Sequence, residues 1–118
     1  RIAAETATTE DIVELKKLLL HMSTETDAEA FFNWDNSFHA CLCRITGNEL
    51  FIKAAQMSSG ILHVCLKAIV EIHGSRQSIA EHSEILACIE RHDGKGAARV
   101  MVSHYDTIMS RLTDYLAR

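Results

Sequence analysis

Asp35-Asn36-Ser37-Phe38-His39 is where this sequence concentrates groups able to do chemistry. Asp35 and His39 stand four apart in a run from Ala28 to Ile45 that contains neither Gly nor Pro. On a helix they share a face. Their companions there are Phe31, Phe32, Phe38, Leu42 and Ile45. A carboxylate and an imidazole thus occupy a stripe that should face a core, where a charge is costly unless it is paired or holds a metal. Two further histidines have the same character. His82 falls among Ile79, Ile85, Leu86 and Ile89, and His104 among Val100, Met101, Ile108 and Leu112. A single core histidine is ordinarily satisfied by a hydrogen bond. Three of them on separate helical patterns, together with a buried carboxylate, make a nitrogen and oxygen donor set without thiolate. Facing helices build metal sites from such converging side chains, and a cation would compensate Asp35. The expected ligands are Asp35, His39, His82 and His104. Zinc is the first expectation, with nickel and manganese as alternatives, because affinity order alone does not select in cells.

The other four of the seven histidines fit ordinary roles. His21 and His63 fall on polar strips. His73 and His92 stand at helix ends, where a cation favours the C-terminal dipole. The four cysteines, Cys41, Cys43, Cys65 and Cys88, lie inside helical patterns with no Cys-x-x-Cys spacing. They read as small packed residues of a reducing cytoplasm.

Helical periodicity accounts for the elements that must carry these groups. Arg1 to Ala4 reads as the remnant of a helix. Thr8-Thr9-Glu10-Asp11 is an N-cap followed by acidic first-turn residues, and that helix should run to about Met22 on a stripe of Ile12, Leu15, Leu18, Leu19 and Met22. After the polar loop Ser23 to Asp27, Asp27 caps the helix that carries Asp35 and His39, which should end near Thr46. Gly47 fits the position just past that helix, and Asn48 the next N-cap. Glu49 to His73 is apolar almost all round, as expected of a helix that is central or packs on a partner, with a kink expected at Gly60 after Ser58 and Ser59. Gly74 ends it and Ser75 should cap the helix of His82. His92-Asp93-Gly94 reads as a turn with a helix-stopping glycine, and the last helix should span about Gly96 to Leu116. No strand alternation, repeat or low-complexity segment is present. The fold expected is all-α, an antiparallel bundle of five helices plus a remnant of a first.

Bulk properties narrow the function classes. A chain of 118 residues suits one domain, and an apolar fraction of 47% suits an ordinary core. There is no proline, which favours long helices. The net charge of −4 and the absence of any basic block make nucleic acid or an anionic membrane poor partners for this domain alone. No apolar run reaches the length of a membrane span, and no signal peptide opens the chain.

The pattern Asp35-x-x-Phe38-His39, then Gly47-Asn48, then Glu81-His82-x-x-Ile85, then a histidine a short helix later, resembles the FCD domain. That is the C-terminal effector domain of the FadR-type branch of GntR-family bacterial transcription regulators. The resemblance extends over essentially the whole chain, read as one domain, 1–118. Ala3-Ala4-Glu5 with the Thr8-to-Asp11 cap is similar to the junction of that domain's first two helices, and Ala87 to Ala98 to its final helix–turn–helix. The resemblance implies a divalent metal on one aspartate and three histidines, by position Asp35, His39, His82 and His104. It implies a small-acid effector, a homodimer, a cytoplasmic regulator rather than an enzyme, and operator DNA bound only through a winged-helix domain that this chain does not contain. Most of the family's first FCD helix, which often supplies a basic pocket residue, is missing too.

Three neutral imidazoles and one carboxylate leave a divalent site near +1, with open coordination positions. Such a site in an apolar pocket suits an organic carboxylate, such as a chelating hydroxy or sugar acid. Ser78, one turn before His82, is the candidate effector-binding residue; otherwise it is an ordinary first-turn serine. Two rival readings are a metal-dependent enzyme acting on a small organic acid and a bundle with a purely structural metal. The enzyme needs a general base, and no spare carboxylate joins the inward stripes, since Glu81 and Glu84 flank His82 but point off its face.

Overall fold

The computed structural model describes residues 7–47, 49–56 and 60–117. Six helices stand among them: α1 (Thr9–Thr24), α2 (Ala28–Thr46), α3 (Glu49–Gln56), α4 (Gly60–His73), α5 (Arg76–Glu90) and α6 (Gly94–Leu116). The fold is all-α, with no strand among the described residues.

Local chemistry explains most of the helix ends. Thr8 accepts from the Asp11 amide at 3.1 Å while its own amide donates to Asp11 Oδ2 at 2.9 Å, a reciprocal capping box. Asp27 accepts from the Ala30 amide at 2.9 Å. Gly47, at φ 60°, closes α2 by donating to the Cys43 carbonyl at 2.8 Å. Two ends differ from expectation. Ser75 occupies the N-cap position of α5 but its side chain makes no capping bond. Gly94 does not stop a helix; it is the first residue of α6. The left-handed residue of that turn is His92, at φ 59°, and Asp93 caps α6 by accepting from the Gly96 amide at 2.9 Å.

The stretch expected as one kinked helix is helical over α3 and over α4, and residues 57–59 between them lie outside the described residues. Gly60 is the first described residue of α4. Ser58 and Ser59, the Asn48 cap and the Arg1–Ala4 remnant lie outside the described residues, as do the side chains of Leu50, Ala54 and Ile61 and all of Met57. Nor is α4 central: Leu66 and Ile69 are buried, whereas Val64 and Ile72 are exposed.

The helices close into a ring. α1 packs against α2 and α5; α5 packs against α6; α6 packs against α3 and α4, which both return to α2. The backbones of α2 and α5 are not neighbours, so their inward side chains meet across the middle. Phe38, Leu42, Ile85, Ile89 and Met101 fill that middle with Leu15 and Met22 from α1, all at most 1% exposed or fully buried. Of the histidines expected on plain polar strips, His21 stacks on Trp34 (centroids 4.0 Å apart, planes at 8°) and His63 meets Glu29 at 3.1 Å, tying α4 to α2. The four cysteines are free thiols, Cys41 and Cys88 buried and the others half-buried. Burial pushes the Cys41 and Cys43 thiols up, as suits packed, unreactive residues.

Candidate metal centre

The three helices that look into the ring bring the expected residues together. Asp35 and His39 come one turn apart from α2, His82 from α5 and His104 from α6, and all four are buried. The His39 and His82 rings have centroids 5.0 Å apart, His82 and His104 4.9 Å, and His39 and His104 6.2 Å. His39 Nε2 lies 3.2 Å from His82 Nε2. Asp35 Oδ1 lies 2.7 Å from His82 Nε2 and 3.3 Å from His39 Nε2. Despite these short approaches, Asp35 Oδ1 has no partner in hydrogen-bond geometry, and neither has His39 Nδ1. A buried carboxylate oxygen left in that state is costly.

The donor set fits a divalent cation. Each of the three histidines offers a ring nitrogen within 4.8 Å of the others'. Nitrogen and oxygen ligands about 2.0–2.2 Å from a shared ion stand roughly 3.0–3.5 Å from each other at tetrahedral or cis-octahedral angles, as His39 Nε2 does from His82 Nε2 and from Asp35 Oδ1. Two rings are oriented for it from behind. His82 Nδ1 donates to the Ser78 carbonyl at 2.7 Å, and His104 Nδ1 donates to Glu81 Oε1. Both bonds fix the tautomer that leaves Nε2 as the free donor atom, the arrangement common among metal-ligating histidines. Phe38 packs edge-on against His82, with centroids 4.9 Å apart.

Electrostatics agree with a charge-dense cluster. Burial works to raise the Asp35 carboxyl, but the adjacent His39 and His82 outweigh it and hold the group far below the usual carboxylate range. For His82, burial opposes charge, yet Asp35 and the Ser78 carbonyl raise it above the usual imidazole value. His104 is lowered, by burial first and then by the nearby His82, against the pull of Glu81.

A cavity of about 60 Å³ opens over the cluster. Asp35, His39 and His104 line it, together with the apolar Phe31, Phe32, Leu66, Ile69, Val70 and Ile108. Ser78 also lines it, but its contribution to His82 is the backbone carbonyl; the hydroxyl is at 3.5 Å. Glu81 departs from the orientation expected of it. It does not point away: α6 packs on the side of α5 that carries it, so it faces the cavity and holds His104. Gln77 and Arg111, unnoticed in the sequence, extend that wall, with Gln77 Nε2 donating to Glu81 Oε2 at 3.1 Å and Arg111 Nη2 donating to Gln77 Oε1 at 2.9 Å. The signal for Arg111 was its place seven residues after His104, on the same helical face.

The family model of the FCD domain matches residues 1–107. The chain belongs to the FCD domain family. Similar proteins include the HTH-type transcriptional repressor NanR of Enterobacter sp. (strain 638), 31% identical over 92% of this chain and 43% of that protein. The HTH-type transcriptional repressor NanR of Edwardsiella tarda (strain FL6-60) is 30% identical over 93% of this chain and 44% of its own length. This FCD chain therefore spans less than half the length of those curated relatives. No solved structure matches it. No helix among the described residues is long and apolar enough to cross a membrane.

Proposed function

We propose that this FCD chain is the effector-sensing domain of a cytoplasmic GntR-type transcription regulator, and that its input is a small organic carboxylate bound at a divalent metal held by Asp35, His39, His82 and His104. The observation that carries the metal is the convergence of three imidazole nitrogens from three helices around a buried Asp35 oxygen with no hydrogen bond of its own. Zinc fits this donor set first, and nickel or manganese also fit. The regulatory role is supported by relatives that are named HTH-type transcriptional repressors. In the whole protein, operator DNA would be bound by a winged-helix domain outside this chain, acting in a homodimer. The net charge of −4 agrees with an FCD domain that leaves DNA to another part.

The bound cation would supply open, positively charged coordination positions to an acid. The chain's own residues do the rest. Ser78 and Glu81 orient His82 and His104, and the aromatic and aliphatic walls keep water from competing. An acid seated there touches α2, α5 and α6 at once, so it favours one arrangement of those helices over another, which is what a population shift requires. A coupling of about 1–3 kcal/mol, roughly 5- to 150-fold in DNA affinity, is typical. Glu81, the carboxylate that an enzymatic reading would use as base, is committed to His104 and Gln77.

Calorimetry with hydroxy and sugar acids on metal-loaded and stripped protein tests this reading. Binding should appear only with metal present, and His82→Ala should abolish it. Equal binding to stripped protein would make the metal structural, and turnover of an acid by the loaded protein would replace the sensor with an enzyme.

A further inference from the structure

The polar wall of the cavity is a chain of hydrogen bonds that starts at His104 and ends, through Glu81 and Gln77, at Arg111. Arg111 is two turns beyond His104, about 10 Å along the axis of α6. It is half-buried, it lines the cavity, and no carboxylate among the described residues pairs with it. Its charge changes the sum for the pocket. A divalent ion with Asp35 alone would leave +1, but Glu81 also faces the cavity and brings that sum to about zero. Arg111 restores the positive charge, two turns along α6 from His104. Phe31, Phe32, Leu66, Ile69, Val70 and Ile108 line the same cavity and offer nothing to a polar group; Tyr105 and Thr107 line it too.

The geometry points to Arg111 as the receptor for a second anionic group, so that the ligand is an elongated dicarboxylate with an apolar body: one carboxylate at the histidine cluster, the other on the Arg111 guanidinium. A guanidinium has five N–H donors in a planar fork. The bond to Gln77 uses one and orients the fork, leaving others for a paired contact with a carboxylate. A short hydroxy acid held at the histidine cluster would leave Arg111 without an anionic partner. This inference rests on the proposed carboxylate site and narrows it.

The test is calorimetry on zinc-loaded protein with glycolate, hexanoate and adipate. Hexanoate and adipate have the same number of carbons and differ at the far end alone. Adipate should bind about tenfold or more tightly than hexanoate, the scale of one charge-assisted hydrogen-bonded contact. Arg111→Gln should bring that ratio to about one, and Arg111→Lys, which keeps the charge but not the fork, should retain part of it. Melting of each zinc-loaded variant verifies that it is folded. Equal binding of adipate and hexanoate by the wild type, or a ratio that survives in folded Arg111→Gln, overturns the assignment. If glycolate binds and the ratio is absent, only Arg111 is misassigned. If zinc binds and none of the three acids does, the carboxylate reading itself fails and takes this inference with it.

Discussion

His82 and His104 are ligand candidates because something holds each ring from behind, a backbone carbonyl in one case and a carboxylate in the other. The difference matters. A carbonyl cannot be mutated away, but Glu81 can. Glu81→Gln keeps the size and one acceptor, and loses the charge that strengthens the His104 donor bond. Loss of such a partner typically lowers metal affinity by about 10- to 100-fold. Competition with a chromogenic chelator should show a drop of that order, and an unchanged affinity would mean that Glu81 does not support His104. Asp35, His39, His82 and His104 were legible in the sequence because each interrupts an apolar stripe, which is a local pattern. Glu81 was not, because its orientation depends on which flank of α5 the helix α6 covers, and no spacing within α5 carries that. Arg111 was half legible: it shares a face with His104, but an arginine at the edge of an apolar stripe also suits plain solvent exposure.

Helix ends were legible where a side chain or a glycine does the work alone. Thr8, Asp27 and Gly47 all stand in the places their chemistry suggests. The His92-Asp93-Gly94 turn was not, since any of its members could take the left-handed position and His92 takes it, freeing Asp93 to cap α6. Gly47 offers a clean test at this scale. A Cβ there would meet nothing within 4 Å, so the cost of Gly47→Ala is the backbone conformation at φ 60° alone. That conformation costs an L-residue about 1–2 kcal/mol, and thermal denaturation should show a midpoint lower by several degrees. A midpoint equal to the wild type would mean that the α2 end rearranges freely.

The molecule as a whole is a ring of helices whose centre is partly polar. All-α class and inward stripes follow from periodicity, but the ring does not. That α2 and α5 meet through side chains while their backbones stay apart, and that α4 sits at the edge with Val64 and Ile72 exposed, depends on contacts between distant segments. A ring closed over buried charges should be strained without a compensating ion and tightened with one. The most direct measurement is the melting temperature of metal-loaded protein before and after chelation, in the wild type and in His104→Ala. At a thousandfold excess over the dissociation constant a ligand of the folded state adds about 4 kcal/mol, so chelation should lower the wild-type midpoint by roughly 10 °C or more. His104→Ala should bind little metal and show almost no response to the chelator. A wild-type midpoint indifferent to chelation, or full metal occupancy in His104→Ala, would contradict the four-residue metal centre.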